Sequence, residues 1–289
     1  MPPRPDVAVL ADLSRETAAR EGVQPQLVEK DFYLTRLLWA LDEHFGRDLL
    51  LKGGTLLSKV DLGFFRMSED ADLVLPGAPS RYKGTNAKRL HNVRDAIREL
   101  GPVVGVTARL PGGELFERGA HGLWELDYPS EFGRQGIKLE VAIRPLLAEP
   151  REVHLRQLIS DPLLGDYRPA SCWALDADEA RAEKVRAAFT RDAIRDFYDL
   201  ERLAEEGADL SSREFIALVD RKLAELHERP LREQPPSFGV TGRRRRALEA
   251  GLRRELPAVL RAGAPAFELD KTLSRFDRLW QKLRAPRKE

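Results

Sequence analysis

Residues 49–75, LLLKGGTLLSKVDLGFFRMSEDADLVL, are the stretch that decides the fold. The stretch holds two apolar runs, and Gly53 and Gly54 end the first of them. We expect each run to form a short buried strand, with the glycines making a tight turn that leads into a helix. The second strand opens with Asp70 and Asp72, which point to the same face because successive side chains of a strand alternate.

The remaining segments complete a mixed α/β (α+β) pattern. Apolar residues recur at helical spacing over 26–45, and VVGVTARL, GLWELDYP and GIKLEVAIR alternate as strands do. Beyond about residue 175 only helical segments follow. We therefore predict a mixed-sheet domain over residues 1–165 and a helical C-terminal domain over residues 166–289, joined through the linker DPLLGDYRPASCWAL.

Composition narrows the class of protein. Of 289 residues, 42% are hydrophobic and 33% are charged, which is typical of a globular protein. The net charge is only +1, so binding to nucleic acid would require a local basic patch. The single cysteine, Cys172, excludes a disulfide framework and the usual zinc sites. No signal-peptide or membrane-spanning pattern is found, and we expect a cytoplasmic protein without a membrane partner.

Asp70 and Asp72 form the first candidate metal site. Two like charges on one face of an apolar strand are costly to bury beside each other. A divalent cation such as Mg²⁺ or Mn²⁺ removes this cost, since oxygen ligands from one or two carboxylates suit it. The alternative is a strand edge whose aspartates face solvent or pair with arginine.

The Gly53–Gly54–Thr55 turn is a candidate nucleotide-binding element. Glycines before a helix let backbone N–H groups approach an anion, and Thr55, placed to cap that helix, adds a hydroxyl donor. Lys52 or Lys59 could add positive charge. An ordinary tight connection is the alternative. Combined with the aspartates, the turn suggests a site for a nucleoside triphosphate and its Mg²⁺.

The strand GIKLEVAIR supplies a third candidate metal ligand. Glu140 lies in mid-strand and shares its face with Lys138, while the apolar residues take the other face. This arrangement fits a sheet with one face lining an active site. An edge strand with a Lys–Glu surface pair fits equally well.

The helix EKVRAAFTRDAIRDFYDL carries a basic stripe. If the helix is continuous, four of its side chains lie within about 60° of one another: Lys184, Arg191, Arg195 and Tyr198. Asp199 lies at the margin of the stripe, with Asp192 and Asp196 further round. Such a stripe suits triphosphate oxygens, with Lys184 and Arg191 as ligands and Asp199 orienting a cation or hydroxyl. A solvated, salt-bridged helix is the alternative.

Taken together, these segments resemble a known family. LLKGGTLLSK, RMSEDADLVL, IKLEVAIRP and EKVRAAFTRDAIRDFYDL occur in the order of the AbiEii/AbiGii-type nucleotidyltransferase toxins, and LVEKDFYLTRLLWAL resembles the family's opening helix. This type IV toxin–antitoxin family includes Menshen-like tRNA nucleotidyltransferases. The resemblance covers residues 25–205. It implies a nucleotidyltransferase-like fold, Mg²⁺ dependence, and NMP transfer from an NTP to the 3′ end of tRNA, blocking translation. It also implies a cognate antitoxin encoded nearby.

The resemblance also assigns roles to individual residues. The turn of Gly53, Gly54 and Thr55 matches the family's nucleotide-binding turn, and the two aspartates match its metal ligands. Lys184 and Asp199 match the helix lysine and the last acid of its R-D-x-x-D-L element. Glu140 matches a strand acid that varies in type and position. Ala71 stands where the family usually has Ile, which concerns packing.

Two further features complete the sequence hypotheses. Arg243, Arg244, Arg245 and Arg246 begin a basic helix that is a candidate RNA-binding surface, although a solvated charged face gives the same pattern. Ser68 stands beside the aspartates, and a phosphate there would add about two negative charges next to metal ligands. We interpret Ser68 as a candidate regulatory position.

Two rival functions remain open at the level of sequence. The chain could hold a nucleotide or RNA without catalysing transfer, or it could transfer NMP to a protein or small-molecule hydroxyl. Intact acids at Asp70, Asp72 and Asp199 argue against the first rival. The basic helix favours a nucleic-acid acceptor over the second.

Overall fold

The computed structural model describes residues 5–109, 114–160 and 170–284. It divides into two compact units. The first unit is Met1–Leu175 together with Val259–Gly263, and the second is Asp176–Ala258 with Ala264–Glu289. No helix in the described ranges is long and apolar enough to cross a membrane.

The first unit is built on one mixed sheet with helices. Its helices are α1 (Val7–Glu21), α2 (Pro25–Phe45), α3 (Gly53–Leu56) and α4 (Lys83–Val104), and a π-helical turn, Leu57–Asp61, follows α3. Its described strands are β1 (Leu50–Leu51), β2 (Asp70–Pro76), β3 (Thr107–Ala108), β4 (Glu114–Arg118), β5 (His121–Tyr128), β6 (Gln135–Arg144), β7 (Arg151–His154) and β8 (Ser171–Ala174).

Strand order places β2 near the middle of the sheet. The order is β3-β5-β6-β2-β1-β8-β7, and β4 also pairs with β5. The pairs β2–β6 and β1–β8 are parallel, whereas the other pairs are antiparallel. The predicted α/β mixed fold is therefore confirmed.

The strands β2 and β6 each bury one apolar face, and their opposite face carries acidic and basic residues beside the buried Val74 and Ala142. On β2, Ala71, Leu73 and Leu75 are buried. The partner strand β6 buries Leu139, Val141 and Ile143, which stand opposite them in register. The helix α2 begins with Pro25 at its first turn, where a missing N–H costs nothing, and nearly all its middle residues are buried. One sheet face is thus core, which leaves the other for chemistry.

Two predicted segments differ from the structure. Part of the predicted linker, Ser171–Ala174, is strand β8, which pairs with β1 and β7; residues 161–169 lie outside the described ranges. In the described part of VVGVTARL, residues 103–109, only Thr107–Ala108 is strand, because α4 continues through Val104 and ends at Gly105 in the left-handed region. The four residues of β8 are too few to show a clear alternation, whereas the valines of VVGVTARL favoured a strand where the helix continues.

The second unit is helical in its described residues. Its helices are α5 (Ala177–Thr190), α6 (Ile194–Glu205), α7 (Arg213–Ala224), α8 (Gly242–Val259), α9 (Leu269–Leu279) and α10 (Gln281–Arg284). Phe238 lies at the centre of an aromatic cluster with Phe189, Phe197, Phe276 and Trp280. Beside this core, Lys222 is buried and binds Glu179 at 2.7 Å and Glu225 at 3.2 Å.

Candidate functional site

The predicted turn brings Asp72 against Gly53. The backbone N–H of Lys52 donates to the carbonyl oxygen of Asp72 at 2.9 Å, which ties the start of the turn to β2. Gly53 has φ 71°, a conformation that favours glycine. A Cβ at this position would lie 2.9 Å from the Asp72 Cβ and closer still to Oδ2. Only glycine leaves room for the carboxylate here.

Thr55 plays a different part from the predicted cap. The helix α3 begins at Gly53, so Thr55 lies inside it and is fully buried. Its hydroxyl donates to the carbonyl oxygen of Asp70 and lies 2.8 Å from the Ser68 Oγ. Thr55 therefore fixes the backbone at the start of β2, and Ser68 lies within hydrogen-bonding distance of the turn.

Lys59, one of the two lysines considered for the turn, is used elsewhere. Its ammonium group is buried and donates to the carboxylate of Asp31 on α2. Burial lowers the pKa of Lys59 and raises that of Asp31. The pair joins the π-helical turn to α2, so the charge of Lys59 serves packing and not an incoming anion.

The three candidate metal ligands lie on one face of the sheet. Because β2 and β6 run parallel in register, Asp70 stands opposite Lys138 and Asp72 stands opposite Glu140. All four residues lie outside the buried core, on the face that β2 and β6 leave polar. Neighbouring strands lie about 4.8 Å apart, so this pairing places the acids on adjacent strands.

The fit of these residues to a divalent cation rests on donor chemistry. Within residues 5–109, 114–160 and 170–284, no three His, Cys, Asp or Glu side chains converge as a metal-binding group. Mg²⁺ is usually held by one or two carboxylates plus substrate phosphates and water, and a closed protein cage is not required. Asp70 and Asp72, spaced i and i+2 beside the turn, fit that mode.

In the second unit the predicted basic stripe is wrong, because the helix is broken. The helix α5 ends at Thr190 and α6 begins at Ile194, with Arg191 extended between them. The break turns Asp196 towards Lys184, whose ammonium nitrogen lies 2.9 Å from Asp196 Oδ1 and 2.8 Å from Asp199 Oδ2. Lys184 and Asp199 are therefore brought together, although not as neighbours on one helix.

Arg191 joins the same group from the break. Its Nη2 lies 3.2 Å from Asp196 Oδ1, while most of its side chain stays exposed. Asp196 thus accepts from both cations, whereas the helical spacing had placed it away from the basic stripe and given it no role. The spacing of Asp196 and Asp199 at i and i+3 of α6 was the available signal, since such residues share a helix face.

Arg244 explains why the helix breaks without Gly or Pro. Its guanidinium donates to the carbonyl oxygens of Ala188 and of Arg191, the latter at 2.9 Å, and pairs with Asp192 at 3.1 Å. Carbonyl groups at a helix end lack intrahelical donors, and Arg244 supplies them. Such a long-range contact has no local sequence pattern.

The four arginines at the start of α8 have different surroundings. Arg244 is directed inward, as described, and Arg245 pairs with Glu249 and Asp270. Arg243 and Arg246 are exposed. Two further exposed arginines, Arg253 and Arg254, lie within about 100° of them around the helix axis.

The close approach of Gly53 to Asp72 gives a testable contrast with Gly46. Both glycines have positive φ, but nothing lies within 4 Å of a Cβ at Gly46. We expect Gly46→Ala to lower the free energy of unfolding by about 2 kcal/mol through backbone strain alone, and Gly53→Ala by about 4 kcal/mol, because the latter also displaces Asp72. Urea unfolding of both variants measures the difference; equal losses would contradict the steric account.

Known proteins share this architecture. MenT4, a nucleotidyltransferase toxin from Mycobacterium tuberculosis H37Rv, superposes with TM-score 0.64 and 18% identity, covering 96% of this chain and 90% of its own. JHP933 from Helicobacter pylori superposes with TM-score 0.52 and 16% identity, covering 91% and 93%. At these identities the likeness concerns the fold alone. No curated protein sequence is significantly similar to the chain.

The sequence itself matches a family over most of its length. Residues 36–282 match the family described as nucleotidyl transferase AbiEii toxin, type IV toxin–antitoxin system. This range includes the candidate residues of the glycine turn, of β2 and β6, and of α5 and α6. The resemblance seen in the motifs is thereby confirmed. The chain belongs to the AbiEii family of nucleotidyltransferase toxins.

Proposed function

We propose that this nucleotidyltransferase transfers NMP from an NTP to the 3′ end of an RNA, with tRNA as the acceptor, and thereby blocks translation. The observation that supports it best is the Asp72 carboxylate against Gly53, beside Asp70 on the polar face of β2. Carboxylates next to a glycine turn are suited to a cation that also binds phosphates.

In this proposal Asp70 and Asp72 hold Mg²⁺ or Mn²⁺, and Glu140, opposite Asp72 on β6, is the further acid that the family resemblance suggests. When bound, the ion would offset the negative charge of the phosphates and activate the attacking hydroxyl. Gly53 and Gly54 are the proposed triphosphate-binding residues, and Thr55 supports their turn through its hydrogen bond to the Asp70 carbonyl oxygen. Lys184 and Arg191 are proposed as further phosphate ligands.

The proposed reaction is an in-line displacement. The acceptor 3′-oxygen forms a bond to the α-phosphorus of the NTP, the bond from that phosphorus to the β-phosphate oxygen breaks, and pyrophosphate leaves. The hydroxyl proton passes to a carboxylate, for which both Glu140 and Asp199 are candidates. Lys184, placed 2.8 Å from Asp199, would exchange this contact for phosphate oxygens.

Removal of Asp70 tests the assignment. We expect Asp70→Ala to lower NMP transfer by at least about 10³-fold, because a metal ligand is lost, while the unfolding transition is preserved. The assay incubates the protein with each labelled NTP and total tRNA. Asp12→Asn, at an exposed aspartate of α1, is the control and should keep full activity.

The same assay separates the rival functions. Label found on a protein or small molecule, and not on RNA, would show that the acceptor is not RNA. Nucleotide binding by the wild-type chain with no transfer to any acceptor would indicate a binding module. Transfer by Asp70→Ala at the wild-type rate would contradict the site itself.

The exposed arginines of α8 are the proposed RNA-binding surface. We expect the double variant Arg243→Gln/Arg246→Gln to bind tRNA more weakly, and the slope of log Kd against log salt to fall by about 1.5. Arg244 is left intact, because its contacts hold the helix break. Arg229→Gln/Arg232→Gln removes the same charge from exposed positions off the helix; equal weakening there would contradict a specific surface.

Ser68 is proposed as a control point. A phosphate on its Oγ would stand beside Thr55 and add negative charge next to Asp70. We expect Ser68→Asp to lose NMP transfer and Ser68→Ala to retain it in the same assay. NMP transfer by the Ser68→Asp variant at the wild-type rate would contradict this proposal.

Membership of a type IV toxin–antitoxin family implies an antitoxin partner. We propose that its gene lies beside that of the toxin and that the toxin acts in the cytoplasm, where charged and uncharged tRNAs are found. Growth arrest on expression of the toxin alone, relieved by the neighbouring gene, would support both statements.

A further inference from the structure

Arg66 is a buried cation beside the glycine turn, and none of the assigned roles uses it. Only 3% of the residue is exposed. Burying a guanidinium is costly, so its position reflects a specific arrangement of surrounding groups. It lies in the segment between the π-helical turn and β2, four residues before Asp70.

The backbone around Arg66 is held on both sides. The hydroxyl of Ser58 donates to the Arg66 carbonyl oxygen at 2.6 Å, and Arg66 forms an isolated bridge with Leu260. The next residue, Met67, donates its N–H to the carbonyl oxygen of Val259 at 2.7 Å. These contacts fix the main chain at Arg66, and the position of its Cα, from which the side chain extends, is therefore well defined.

The guanidinium lies across Gly54. Its Nη1 donates to the Met67 carbonyl oxygen at 2.9 Å, while a Cβ on Gly54 would lie only 2.6 Å from Nη2. Gly54 has no positive φ, so a Cβ here would displace the Arg66 side chain but would not strain the backbone. Side chains of opposite charge thus lie against the two glycines: the Asp72 carboxylate against Gly53 and the Arg66 guanidinium against Gly54.

We propose that Arg66 is a positioning residue for the triphosphate, which holds the Gly54 backbone in place and sets a permanent positive charge beside the phosphates. The inference rests on the proposed function. A buried charge acts through a medium of low polarity and is weakly screened, so it favours ligands in proportion to their negative charge. Arginine keeps this charge at every pH.

The test is the dependence of affinity on phosphate number. Kd is measured with Mg²⁺ for the NMP, NDP and NTP of whichever base the wild-type protein binds best. We expect Arg66→Gln to weaken NTP binding about 10-fold and NMP binding about 2-fold, and Arg66→Lys to recover part of the loss. A merely destabilised variant would weaken all three ligands by one factor.

Arg36→Gln is the matched control. Arg36, on α2, is an arginine of the first unit with the same 3% exposure, and it does not adjoin Gly53 or Gly54. Its replacement should leave the NTP-to-NMP affinity ratio unchanged. Folding of each variant is checked by its thermal unfolding transition, and Arg66→Lys supplies the comparison if Arg66→Gln does not fold.

A double-mutant cycle tests whether Arg66 affects NTP affinity through its contact with Gly54. Gly54→Ala should reproduce the loss of NTP affinity, because its Cβ displaces Nη2, and the double variant Gly54→Ala/Arg66→Gln should lose no more than either single variant. An unchanged affinity ratio in folded Arg66 variants would overturn the inference while leaving the proposed function intact. Absence of NTP binding by the wild-type protein would overturn both.

Discussion

The contact between the Asp72 side chain and Gly53 is the constraint on which the candidate site on the sheet depends. The left-handed backbone of Gly53 and its missing Cβ let a carboxylate rest directly on the turn. The turn can therefore begin directly after β1, whose Leu51 pairs with Leu73 of β2. A larger residue would force either the strand or the acid away.

The parallel register of β2 and β6 places the acids of both strands on one face of the sheet. A strand with period two must present alternate residues to opposite sides, so one register buries Leu73 and Val141 and turns Asp72 and Glu140 outward. A slip by one residue would exchange the two sets and bury the acids. The stability of the core and the position of the carboxylates are consequently set by the same pairing.

Local patterns predicted much of this arrangement, and long-range contacts account for the rest. Alternation gave the faces of β2 and β6, and the glycine pair gave the turn. The interruption between α5 and α6 was missed because Arg244, more than fifty residues away, supplies donors to the helix end. The true surroundings of Lys184 follow from that break. Lys59 was considered, with Lys52, as a source of charge at the turn because nothing near it in sequence indicates Asp31 as its partner.

Val259–Gly263 belongs to the first unit although it follows most of the second unit in the chain, so part of the first unit is synthesised late. Met67 and Gly22 each form a backbone hydrogen bond with this segment, at 2.7 Å. A ribosome delivers residues in order, so the chain beside Arg66 cannot acquire these bonds until the whole of α8 has been synthesised. The backbone bonds that support the glycine turn are therefore completed only near the end of synthesis.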